Sequence, residues 1–227
     1  MDFRVYHGGT RGAFDGTATF YGATSGLGWP QHYRYPPLFL PLFSPLAAIP
    51  IEWGAAIWVF LKVAALYAVT VSLWQRLPAA SGRWRWIAPA LLAGVYVAED
   101  LRYGNAQSLI FAMTALSLLG LESNGRAYWP PALLGLAINI KVWPLFFVPY
   151  LAARRQTRAA VAALAFTAVF AMTPSFFFGI HGNLKLLGEW FQQEFATQTG
   201  ESEIWFPSQS LRGVMMRYLT VVDYSRL

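Results

Sequence analysis

Residues 51–74, IEWGAAIWVFLKVAALYAVTVSLW, run for 24 positions with only Glu52 and Lys62 charged. A helix of about 20 mostly apolar residues covers the hydrocarbon of a bilayer, so this stretch reads as a membrane span. A second run, AAVAALAFTAVFAMTPSFFFGI over 159–180, has the length to do the same. Composition agrees: 56% of the residues are hydrophobic and 12% charged, about half the charge of an ordinary soluble domain. The predicted class is an all-α, polytopic integral membrane protein, one transmembrane domain over 1–227.

Between those runs lie two shorter ones, 86–98 and 108–121, separated by EDLRYGNAQ. Each can cross only if its polar flank enters a protein-lined cavity, which makes 99–107 a buried or cavity-facing turn. Residues 127–153 carry Pro130, Pro131, Pro144 and Pro149, so two short helices meeting near Lys141 fit better than one rod. Residues 33–50 hold prolines at 36, 37, 41, 45 and 50 and predict a broken approach to the first span. In NLKLLGEWFQQEF, 183–195, the positions Leu184, Leu187, Trp190, Phe191 and Phe195 recur at helical spacing, as in a helix lying on a membrane surface.

Arginines set the orientation. Arg76, Arg83 and Arg85 share one loop, Arg126 lies in another, and Arg154, Arg155 and Arg158 in a third. The positive-inside rule makes these loops cytoplasmic. Residues 1–35, the 99–107 turn and the loop 181–210 then face outward, and 127–153 becomes a re-entrant pair with Lys141 near its outward tip. The net charge of +6 comes from these clusters and not from a basic face, so nucleic acid is excluded as a partner. The absence of cysteine excludes disulfides, thiolate metal sites and a thiol nucleophile.

Lys141 stands out, because an ammonium group within a membrane costs about 2.5–3.5 kcal/mol on insertion scales and marks a functional site by default. Lys62 also interrupts an apolar helix, but with nothing polar beside it in sequence it reads as a paired or snorkelling lysine. Glu99 and Asp100 are equally well read as helix-end charges beside Arg102 or as site residues. His181 reads as an exposed loop histidine or a phosphate contact. No spacing of acidic residues defines a metal site.

MDFRVYHGG…GTATFY, YRYPPLFLPLFSPLAAIP, YGNAQSLIFAMTALSLLGL, LLGLAINIKVWPLFFVPYLAARR and PSQSLRGVMMRYL, in that order, resemble glycosyltransferase family 87 across nearly the whole chain. The resemblance implies the GT-C fold of bacterial plasma-membrane enzymes: a helical bundle with outward-facing catalytic loops, a polyprenyl-phosphate sugar donor, typically mannose, and no cofactor. It also implies a helix upstream of Met1 and further spans after 227, so the chain is expected to be part of a longer protein.

The family's acidic general base falls on Asp2. A single base implies inversion at the anomeric carbon in one displacement, and a phosphate leaving group requires a cation rather than an acid. Lys141 is the expected phosphate ligand, with Arg212 and His181 as further candidates. Gln107 and Tyr103 are candidates for sugar hydroxyls, and Arg34 and Tyr35 complete the expected substrate-binding set. The expected reaction moves a hexose, mannose first, from the lipid donor to a glycolipid or glycan hydroxyl outside the cytoplasm. Another polyprenyl-phosphate sugar would use the same chemistry. A transporter or flippase of lipid-linked headgroups is the alternative from a different class, because broken helices and intramembrane charge also mark transport paths.

Overall fold

In the computed structural model the described residues are 2–16, 21, 33–76 and 84–196; they form helices and no strand. The chain divides into two compact units, Met1–Trp190 and Phe191–Leu227. The described part of the second is the end of the last helix and a π-helical turn, Gln192–Ala196.

In the first unit α1 (Asp2–Asp15) and α2 (Phe39–Ala47) pack together against the start of α3 (Ile51–Trp74). The start of α1 was expected as an outward loop and is instead a helix. Phe3, Tyr6, His7 and Thr10 are buried at three- and four-residue spacing, and that stripe outweighs the helix-weakening pair Gly8 and Gly9. In α2 the interior Pro45 has no N–H for the carbonyl of Pro41, and the Ser44 hydroxyl donates to that carbonyl at 2.8 Å. The expected break before the first span lies at Ala48–Pro50.

The remaining helices are α4 (Trp84–Tyr103), α5 (Gln107–Ser123), α6 (Trp129–Ile140), α7 (Phe147–Ala153), α8 (Thr157–Met172) and α9 (Ser175–Phe191). The predicted 99–107 turn is shorter in the structure, Gly104–Ala106, because α4 continues helically through Glu99, Asp100 and Arg102. α3 and α5 run parallel: Lys62 meets residues 100 and 105, while Arg76 donates to Leu119 O at 3.1 Å and to Ser123 Oγ.

α6 and α8 also run parallel. The Arg158 guanidinium bonds the Tyr128 hydroxyl at 2.7 Å near their starts, and Asn139 Nδ2 bonds Thr167 O at 2.9 Å about three turns further along each. α7 must therefore carry the chain from Lys141 back to the end at which α6 began. The two short helices expected on either side of Lys141 are present, joined by a 3₁₀ turn, Trp143–Phe146. One end of the bundle thus gathers Arg76, Arg154, Arg155 and Arg158, and the other gathers Lys141, Gln107 and the Gly104 turn.

The run 159–180 is corrected: it is not one straight span. The chain turns by 97° between α8 and the helix that follows. Pro174 lies at the bend, and Gly179 breaks α9 with φ 71° and ψ 164°, a conformation essentially confined to glycine. Asn183 Nδ2 clamps the bend with bonds to Ala171 O (2.9 Å) and Ser175 Oγ (3.0 Å).

Two cores hold the unit. An aromatic one joins Phe3, Tyr6, Tyr33, Tyr35, Phe39, Phe43 and Trp58 at the Lys141 end. An aliphatic one joins Leu121, Leu134, Ile138, Val148, Leu151, Ala159, Ala160 and Ala163 nearer the arginine end. α3 is apolar all round, yet only 17% of its apolar stretch is buried; Trp53, Phe60, Val63 and Tyr67 are exposed along it. Among the described residues it is the one unbroken helix long and apolar enough to cross a membrane, with the bent α8–α9 pair a second if counted as one span.

Candidate active site

YGNAQ, residues 103–107, is the structural centre of the site. Gly104 has φ +73°, and a Cβ placed there would lie 2.8 Å from Phe3 Cβ and 3.3 Å from Phe3 N, so glycine serves both the turn and the close approach of α1. Its carbonyl accepts from Trp58 Nε1 at 2.9 Å. Asn105 Oδ1 accepts from the Tyr35 hydroxyl at 3.2 Å. That bond uses Tyr35's one hydrogen, so the Tyr6 hydroxyl is the donor in the 2.6 Å bond between the two tyrosines. Gln107 Oε1 accepts from Trp143 Nε1 at 3.2 Å, which ties α5 to the segment just after Lys141.

Lys62 is fully buried, and its ammonium spends its three donors on Asp100 O (2.8 Å), Asn105 O (2.9 Å) and Asp100 Oδ2 (3.1 Å). Asp100 Oδ2 also accepts from the Ser108 hydroxyl at 2.6 Å. The sequence allows a paired Lys62 but does not show that Asp100 is its partner, because 38 positions separate them. Glu99 takes the blander of its two readings and faces Arg102 at 3.6 Å in an exposed pair.

Lys141 caps the C-terminus of α6 in extended conformation (φ −154°, ψ 136°). Pro144 cannot supply the N–H that would continue the helix, and the cation suits the negative end of the helix dipole. Its Nζ lies 5.9 Å from the centre of the Tyr35 ring. Asp2 precedes Tyr6 by one helical turn on α1, and Tyr6 is bonded to Tyr35, whose ring faces Lys141. Burial raises the Asp2 carboxyl above the ordinary carboxylate range; the Lys141 and Lys62 cations oppose that rise and the Asp100 carboxylate adds to it. Burial likewise raises the Tyr6 and Tyr35 phenols, which keeps both as hydrogen-bond donors.

Of the residues singled out by sequence, Asp2, Tyr35, Gln107 and Lys141 lie at this one end of the bundle. Tyr103 is exposed beside them with the Arg102 guanidinium 5.9 Å from its ring centre. Arg34 is exposed, and its carbonyl accepts from Trp190 Nε1 at 3.3 Å. His181 is exposed on α9, and no hydrogen bond or ion pair among the described residues ties it to the cluster. Arg212 lies outside the described residues. Lys62 is paired, one of its two expected readings; the polar residues that the sequence does not single out are Asn105, Ser108 and Tyr6.

The model of glycosyltransferase family 87 matches residues 33–226, and the chain belongs to that family. It is 29% identical over 188 residues to the polyprenol-phosphate-mannose-dependent alpha-(1-2)-phosphatidylinositol mannoside mannosyltransferase of Mycobacterium tuberculosis, covering 74% of this chain and 43% of that protein. It is 32% identical over 172 residues to the polyprenol-phosphate-mannose-dependent alpha-(1-2)-phosphatidylinositol pentamannoside mannosyltransferase of Mycolicibacterium smegmatis, covering 74% and 41%. The chain thus spans about two-fifths of the length of these curated relatives. No solved structure matches it.

Proposed function

We propose that this chain is the donor-binding and base-bearing part of an inverting mannosyltransferase that uses polyprenyl-phosphate mannose and works on the outer face of a bacterial plasma membrane. The observation that carries the reading is the convergence of the Asp2 carboxylate and the Lys141 ammonium on one end of the bundle, opposite the arginines. Exposed apolar side chains along α3 suit lipid contact, the arginine end suits the cytoplasm, and the helix pair around Lys141 suits a re-entrant element of a multi-pass GT-C bundle.

In the proposed reaction an acceptor hydroxyl oxygen attacks the anomeric carbon while Asp2 takes its proton. The bond from that carbon to the phosphate oxygen breaks, and polyprenyl phosphate leaves with the electron pair. Lys141 stabilises the departing anion at the height where a lipid headgroup lies. The relatives' names favour mannose as the sugar and a phosphatidylinositol mannoside as the kind of acceptor.

The test is transfer of radiolabel from polyprenyl-phosphate mannose by the full-length protein in membranes supplied with phosphatidylinositol mannosides. Label in the glycolipid, with inverted anomeric configuration, is the expected result. Donor that crosses the membrane with its sugar–phosphate bond intact would assign the protein to transport instead.

A further inference from the structure

Asp100 is used unevenly. Its Oδ2 is anchored by Lys62 and Ser108, while its Oδ1 is buried and has no hydrogen-bond partner among the described residues. The side chain is 9% exposed. A buried acceptor without a donor is costly, and native proteins seldom leave one unless a ligand or solvent completes it. The position is defined independently by backbone contact: the Gly104 turn that follows Asp100 touches Phe3, the residue next to Asp2.

The surrounding charge indicates the missing partner. The Asp2 and Asp100 carboxylates lie in the field of the Lys62 and Lys141 ammonium groups and of the chain's amino terminus, so the cluster already has cations enough without a further ion. Among the described residues no three His, Asp or Glu side chains are grouped to hold a metal. What Oδ1 lacks is a neutral donor. The bonds from Lys62 and Ser108 to Oδ2 hold the carboxylate in one orientation, the preorganisation that a hydroxyl-reading group requires.

We infer that Asp100 Oδ1 accepts a hydrogen bond from a sugar hydroxyl, and that Lys62 is the positioning residue that holds it there. This rests on the transferase reading above and adds a substrate-binding residue to it. The hydroxyl belongs either to the donor mannose or to the terminal mannose of the acceptor.

Equilibrium binding separates the two sources. Polyprenyl-phosphate mannose and its monodeoxy analogues form one arm, and phosphatidylinositol mannoside with monodeoxy terminal sugars forms the other, each bound to detergent-solubilised full-length protein. For the wild type, one analogue in one arm is expected to bind about 10- to 100-fold more weakly than its parent, as for a lost bond to a charged group. In the double variant Lys62→Met/Asp100→Leu, where an apolar pair replaces the buried ion pair, that discrimination is expected to fall to near unity.

Discrimination retained by the folded double variant would overturn the inference, as would a wild type indifferent to every analogue. Donor affinity that EDTA abolishes in the wild type but not in the double variant would assign Oδ1 to a metal ion and also overturn it. A wild type that binds neither parent compound would overturn the transferase reading itself, and this inference with it.

Discussion

Asp2 can serve as a base only when unprotonated, and its burial beside Tyr6 raises its carboxyl above the ordinary carboxylate range. The sign follows: the rate of transfer falls as pH drops through that raised value. The acidic limb of kcat/KM should therefore lie above the roughly pH 4 of a free carboxyl; a limb at or below that value would contradict the role given to Asp2. Lys62→Met alone leaves the Asp100 carboxylate buried without its cation and should cost about 3–5 kcal/mol in thermal or denaturant unfolding. Stability unchanged by that substitution would show the pair to be more solvated than its 0% and 9% exposures imply. At this scale the sequence was readable where a residue was anomalous in its own neighbourhood. Lys141 in an apolar run was such a case; Asp2 is marked only by the family resemblance, and the roles of both are the ones proposed above. Asn105 and Ser108 were not such cases, because a polar residue in or beside a polar turn carries no signal until its partners are known: Lys62 of α3 and Tyr35 for Asn105, Asp100 of α4 for Ser108.

Elements were legible to the extent that local chemistry fixes them. The prolines around Lys141 announced two short helices, and 51–74 formed the helix its length required. The 97° bend is not legible in hydropathy, which is continuous over 159–180; its local signals are Pro174 and Gly179. The helix at 2–15 was missed because Gly8 and Gly9 argue against it locally while the aromatic core supplies its stability. Two substitutions test the contacts between elements. A Cβ at Gly135 of α6 would lie 2.9 Å from Thr167 N and 3.0 Å from Ala163 O of α8, backbone atoms that cannot yield. Gly135→Val should cost about 1–3 kcal/mol in unfolding and weaken donor binding, since it displaces the helix that ends at Lys141; unaltered stability would contradict the close α6–α8 contact. Gly179→Ala forces a side chain into a region essentially reserved for glycine and should cost about 1–3 kcal/mol, a penalty absent if α9 can straighten.

For the whole molecule the two-ended bundle is the element of topology that sequence and structure share: charge bias separated the arginine loops from the Lys141 end, and the helix pairings place them at opposite ends. The chain has no cysteine, so single introduced cysteines report sidedness without background. Glu99→Cys should react with an impermeant maleimide in intact cells, and Glu122→Cys only after permeabilisation; the reverse pattern would invert the proposed orientation. The central claim is that one extracytoplasmic pocket holds the base and the phosphate ligand as separate groups, and the most direct test measures donor affinity and sugar transfer together in two variants of the full-length protein. Asp2→Asn should bind polyprenyl-phosphate mannose normally yet lose transfer by about 10²- to 10⁴-fold. Lys141→Ala should lose donor affinity by about 2–5 kcal/mol. Donor affinity unchanged in Lys141→Ala, or transfer surviving in Asp2→Asn, would contradict it.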